Sequence, residues 1–134
     1  MKFYRGNFKY TLAVDEVRFV DLHPPADIKT DFILLGTHGY LTIKQGYAWD
    51  GASGPTWDDD SNMLGGLVHD ALYQLMREGH LPIQTRIRCD EILREICIEK
   101  GMSKFRAWYW IKGLKWGGKG SAKKKNRRKI YEAP

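Results

Sequence analysis

Residues 64–101, LGGLVHDALYQLMREGHLPIQTRIRCDEILREICIEKG, set the tightest limit on how this chain can fold. Apolar side chains recur near helical spacing on both sides of the breaker EGHLP, so the stretch predicts two helices over 62–77 and 83–100 joined by a short loop. Gly101 is a natural stop for the second. Helices joined this closely usually pack antiparallel. His69 then lies ~12 Å from the end of the first helix, and Asp90 lies ~10 Å into the second, at 1.5 Å rise per residue. The two positions are nearly level. Asp90 is placed to accept the proton on one imidazole nitrogen, which leaves the other nitrogen to deprotonate a water. A buried polar clip between two helices, with no chemistry at all, accounts for the same residues. Both readings stay open at this point.

Asp70 follows His69 and is offset from it by about 100° around the helix, so the two side chains cannot share a direction. It is free to face the upstream loop WDGASGP, in which Trp49, Gly51 and Ser53 precede His69 by twenty, eighteen and sixteen residues. A glycine-rich loop can turn its carbonyls inward, and carbonyls with a carboxylate are the ligands a hard cation such as calcium prefers. A base, its orienting acid and an oxygen-lined cation site together make a hydrolytic site. The run DDDSNM, from Asp58 to Met63, is read first as caps and dipole partners for the helix that follows, ahead of metal binding.

The first fifty residues read as strands. KYTLAVDEVRFV is rich in β-branched and aromatic residues, and DFILLGTHGYLTIKQGYAW reads as strand, Thr-His-Gly turn, strand. His38 sits in that turn with an exposed, polar role. LHPPAD is an extended connector fixed by its prolines, and His23 has no partner in view there. A third helix is expected over 103–115, carrying Phe105, Trp108, Tyr109 and Trp110 as core and surface clamp rather than as a ligand cage.

The fold class is therefore α+β: a small antiparallel amino-terminal sheet packed on a three-helix unit that contains an antiparallel helix pair. The expected organisation is one globular domain over 1–118 and a basic, flexible tail over 119–134. At 134 residues and 43% apolar content, one modest core is what such a chain can bury. No stretch approaches the ~18 apolar residues of a spanning helix, and MKFYRGNFKYTLAV lacks the centre of a secretory signal. Cytoplasmic residence is the default expectation. Cys89 and Cys97 stand about two helical turns apart, too far to pair readily, and read as reduced core thiols.

The net charge of +6 is unevenly placed. Nine of the 22 bases but one of the 16 acids lie from Lys112 onward, so residues 1–111 carry a net −2. A tail such as GGKGSAKKKNRRK binds RNA, DNA or an anionic membrane without sequence specificity, or serves only as a disordered end.

Two resemblances sharpen these expectations. From about Phe32 to Trp116 the chain looks like a family of small uncharacterised bacteriophage and prophage proteins. Its ordered pattern falls here on Gly46, Tyr47, Asp50, Gly51, Ala52 and Ser53, then His69, Asp70, Leu72 and Tyr73, then Asp90, then 108–113. Gly54 and Pro55 stand where that family more often has an apolar residue before proline. This resemblance implies a viral origin: synthesis in a host cytoplasm and, by extension, association with a virion. Locally, His69-Asp70-Ala71-Leu72-Tyr73 is similar to the H-D-x-x-Y helix of secretory and parvoviral phospholipases of the A2 type. That likeness implies a general base at His69, a calcium ligand at Asp70, a supporting phenol at Tyr73 and an orienting acid at Asp90. The calcium loop would run from Trp49 to Ser53, with Asp50 as an added acid among its ligands. The disulfide framework of the secretory enzymes is missing, and the loop lacks their glycine pattern.

Other hydrolytic schemes fit less well. A His-Asp phosphohydrolase needs a further upstream histidine, and His23 and His38 both precede the helices in loops or turns. A serine hydrolase would need Ser53 as its nucleophile, yet GASGP is not the expected strand-to-helix elbow. The leading expectation is a phage-encoded, phospholipase A2-like ester hydrolase. Its rival is a non-enzymatic phage protein, a virion component or an inhibitor of a host factor, in which the His-Asp pair is structural. Phospholipid surfaces are the expected partner, and nucleic acid is a competing target of the tail.

Overall fold

A computed structural model describes residues 1–6, 10–51 and 60–122, and the chain divides after Asp50 into two compact units. The α+β class holds. In the first unit the strands are β1 (Phe3–Arg5), β2 (Tyr10–Leu12), β3 (Glu16–Phe19), β4 (Ile28–Lys29), β5 (Ile33–Leu35), β6 (Tyr40–Ile43) and β7 (Ala48–Trp49). They form two antiparallel sheets, ordered β1-β2-β7 and β3-β6-β5-β4.

Alternation decides which face of the four-stranded sheet is covered. Ile33 pairs with Ile43 and Leu35 with Leu41, and all four are buried. Val17, Phe19 and Tyr40, one residue out of phase, stay exposed. The Thr-His-Gly turn closes through a bond from Gly39 N–H to the Gly36 carbonyl at 3.0 Å. Gly39 has φ +91°, and a Cβ there would meet Phe19 at 2.9 Å and His23 at 3.0 Å, so glycine is required. In the smaller sheet Phe3, Tyr10 and Trp49 form an aromatic cluster with ring centroids 5.4–5.9 Å apart.

The second unit holds α1 (Met63–Arg77), a single 3-10 turn at Ile83–Thr85, α2 (Arg86–Glu99) and α3 (Lys104–Ala122). Both breaks in the hairpin are glycine-based. Gly79 takes φ +81° and Gly101 φ +104°. His80 N–H then reaches the Leu75 carbonyl at 2.8 Å, and Met102 N–H reaches the Cys97 carbonyl at 2.9 Å. These bonds satisfy carbonyls that the helix ends would leave open.

Contacts pair Gly65 with Leu93 and Cys97, and His69 and Tyr73 with Asp90, so α1 and α2 run antiparallel. A Cβ on Gly65 would lie 2.7 Å from Cys97 Sγ and 2.9 Å from Leu93 Cδ1, which shows how closely the backbones approach. Leu93, Cys97, Met102, Ala107, Trp110 and Ile111 form the core that joins α2 to α3.

Two expectations about the helices are corrected. Asn62 occupies the N-cap position of α1 but makes no capping bond with its side chain, and the first turn holds no acid. Asn62 is instead wholly buried. Asp58 and Asp59 lie outside the described residues. The third helix also runs past 115 to Ala122 and takes in the first positions of the expected tail. No proline interrupts it, and each residue added to a formed helix contributes a further backbone bond. Residues 123–134 lie outside the described residues.

Candidate active site

The second unit brings together the three residues expected to form the catalytic set. His69 and Tyr73 are one helical turn apart on α1, so both project from the same face. The side chains meet Asp90 on the facing turn of α2. His69 Nε2 lies 2.7 Å from Asp90 Oδ1, and the Tyr73 hydroxyl donates to the same oxygen at 2.9 Å. Their rings stack with centroids 4.2 Å apart and planes 31° from parallel. The imidazole is thus held by a hydrogen bond at one end and by an aromatic face along its length.

An oxygen that accepts from two donors fixes both of them. Nε2 must carry the proton, which leaves Nδ1 of the neutral ring as the acceptor. Burial, and after it the charge of Asp90, pushes the Tyr73 phenol far above its ordinary value, so it remains a donor at any ordinary pH. Asp90 is 1% exposed and His69 12%, so the acid is sealed while the base keeps a narrow opening. The second carboxylate oxygen, Oδ2, is buried with no hydrogen-bond partner among the described residues.

The residues expected to hold calcium fall on both sides of the division between the two units. Asp70 is half-buried on α1, offset from His69 as helix geometry requires. Trp49 and Asp50 close the first unit, where the Trp49 side chain is buried in the aromatic cluster. Gly51 has φ +89° and opens the second unit, and Ser53 lies outside the described residues. Among the described residues no group of three or more His, Cys, Asp or Glu side chains is placed to hold a metal ion.

A second acid–imidazole pair was not foreseen from sequence. His23 Nε2 lies 2.7 Å from Asp21 Oδ1, and its Nδ1 lies 2.9 Å from the Thr37 carbonyl. The expectation that His23 lacks a partner is therefore corrected. The hydrogen bond that His23 donates to Asp21, and then the one to the Thr37 carbonyl, raise its pKa above the ordinary histidine value. Asp21 reaches His23 because it adopts φ +55°, a left-handed conformation that Asp tolerates better than most residues. The D-x-H spacing was the available signal, yet nothing local announces the reversed φ. Neither nitrogen of this exposed pair is left open to act as a base, because both face acceptors.

No family model, curated protein or solved structure matches the chain.

Proposed function

We propose that this chain is a phage-encoded, phospholipase A2-like ester hydrolase in which His69 is the general base. One observation carries the reading: His69, still 12% exposed, is tethered through Nε2 to a buried carboxylate, so Nδ1 is the ring nitrogen left to accept a proton. In this reading Nδ1 takes a proton from a water poised over the ester, and the resulting hydroxide attacks the carbonyl carbon. Asp90 stabilises the imidazolium that forms and keeps the ring in the right tautomer. The proton then passes from Nδ1 to the departing alkoxide. Tyr73 holds Asp90 and the imidazole plane in place without touching the reacting atoms.

Asp70 is the carboxylate proposed to bind calcium, together with carbonyls of the 49–53 loop. Bound calcium would supply positive charge to the ester oxygen as the tetrahedral intermediate develops. Phospholipid at a membrane surface is the proposed substrate, and the basic end of the chain is proposed to favour anionic surfaces, with nucleic acid as its competing target.

The burial of Asp90 and Tyr73 favours a second reading, a non-enzymatic phage protein whose polar clip joins α1 to α2. Hydrolysis of short-chain and long-chain phospholipids, with and without calcium, separates the two. The hydrolase reading requires turnover in the unaltered protein and its loss in His69→Ala. The structural reading requires no turnover, with a loss of thermal stability on the same substitution.

A further inference from the structure

The third helix has two unlike faces. Ala107, Trp110 and Ile111 are buried against α2. Phe105, Trp108, Tyr109 and Lys112 recur at spacings of three and four residues, which places them along one stripe of the helix. Phe105 is 76% exposed, Trp108 50% and Tyr109 54%. Three neighbouring aromatics left in water are a larger apolar exposure than scattered surface residues explain.

The charge of the helix itself has one sign. The helix from Lys104 to Ala122 contains Lys104, Arg106, Lys112, Lys115 and Lys119, and no acid. Lys112 Nζ lies 4.4 Å above the Trp108 ring, so a cation is fixed at the level of the exposed aromatics. Phe105 packs beside the same indole, with centroids 6.2 Å apart.

We propose that the Phe105–Trp108–Tyr109–Lys112 face of α3 docks the protein on an anionic phospholipid surface. Tryptophan and tyrosine favour the boundary between headgroups and acyl chains, and lysines beside them meet the phosphates. The arrangement matches lipid better than nucleic acid. A stacked base needs an open ring, whereas Lys112 already covers one face of Trp108 and sets its ammonium where a phosphate layer would lie. The acid-free helix also favours an anionic surface over a neutral one. In purpose this docking rests on the lipid-hydrolase reading, but its physical basis does not.

The test uses the full chain and vesicles of ether-linked lipids, which bind but cannot be hydrolysed. Vesicles of phosphatidylcholine alone are compared with vesicles that also contain phosphatidylglycerol, at physiological ionic strength. The unaltered protein is expected to co-sediment with the anionic vesicles. The combined variant Phe105→Ser/Trp108→Ser/Tyr109→Ser is expected to weaken that binding about tenfold or more, with its helical circular dichroism unchanged. Lys112→Glu is expected to weaken binding to the anionic vesicles while leaving the folded state intact. Absence of vesicle binding by the unaltered protein, or equal binding by all three proteins, overturns the proposal. So does loss of oligothymidylate binding in the triple variant with vesicle binding untouched, which would make the face a base-stacking surface. Hydrolysis of dispersed short-chain ester lipid is measured in parallel. Failure there with binding intact counts against the hydrolase reading alone.

Discussion

Replacing Asp90 by Asn keeps the shape of the side chain and removes its charge. Asp90 is sealed from solvent, and its Oδ1 accepts from His69 at 2.7 Å and from Tyr73 at 2.9 Å. A hydrogen bond to a charged group contributes about 1.5–3 kcal/mol and a neutral one about 0.5–1.5, so neutralisation loses about 2 kcal/mol over the two bonds. The new amide nitrogen would sit where Oδ2 lies, a position without a hydrogen-bond partner among the described residues. An unsatisfied buried donor costs about 1–3 kcal/mol more. Relief from burying a charge opposes both effects by a few kcal/mol. The expected net destabilisation is about 2 kcal/mol, which moves a urea midpoint by about 1 M for a small protein. Far-ultraviolet circular dichroism during urea unfolding at neutral pH reads the helices that carry the pair. A midpoint unchanged or raised in Asp90→Asn would refute the reasoning, because desolvation would then outweigh everything the two bonds contribute.

Gly65→Ala gains about 1 kcal/mol of helix propensity but drives a methyl to 2.7 Å from Cys97 Sγ, and overpacking costs about 1–3 kcal/mol, so a net loss of stability is expected. Thermal unfolding should show partial rescue when Cys97→Ala is added, and no rescue would mean the clash lies elsewhere. His23 has a raised folded-state pKa, so the stability it adds is fully present below the ordinary histidine pKa of about 6.5 and is lost as pH rises through the raised value. Proton resonance titration of His23 should show that upward displacement, and Asp21→Asn should reduce it. Burial, and then the charge of Asp90, push the Cys89 thiol far up, so disulfide reagents should label it only after unfolding. Rapid labelling of the native protein would show that the α1–α2 core opens readily.

The helical hairpin was legible in the sequence because its punctuation is chemical. Gly79 and Gly101 both supply the positive φ that closes a helix end, and apolar spacing fixed the extents of α1 and α2 to within a few residues. The level placement of His69 and Asp90 followed from the rise per residue alone. What Tyr73 does there did not, because a helical pattern says which side chains share a face and not which oxygen they share. The division of the strands between two sheets was equally hidden, since alternation marks a buried face without naming a strand's neighbour. The Asp21–His23 pair depends on one left-handed residue and on a carbonyl fourteen positions away. Nothing in the local sequence marks the role of Gly65. Its importance comes from Cys97 on the opposite helix, and that contact exists only once the hairpin closes.

Calcium-supplemented release of fatty acid from phospholipid, comparing the unaltered protein with His69→Ala, tests the hydrolytic role of the His69–Asp90 pair most directly. The expected result is measurable release by the unaltered protein and a fall of about a thousandfold or more in the variant, as loss of a general base entails. Circular dichroism must show the variant still helical at the assay temperature. Release that is equal in the two proteins, or absent from both across short-chain and long-chain lipids, would contradict the assignment.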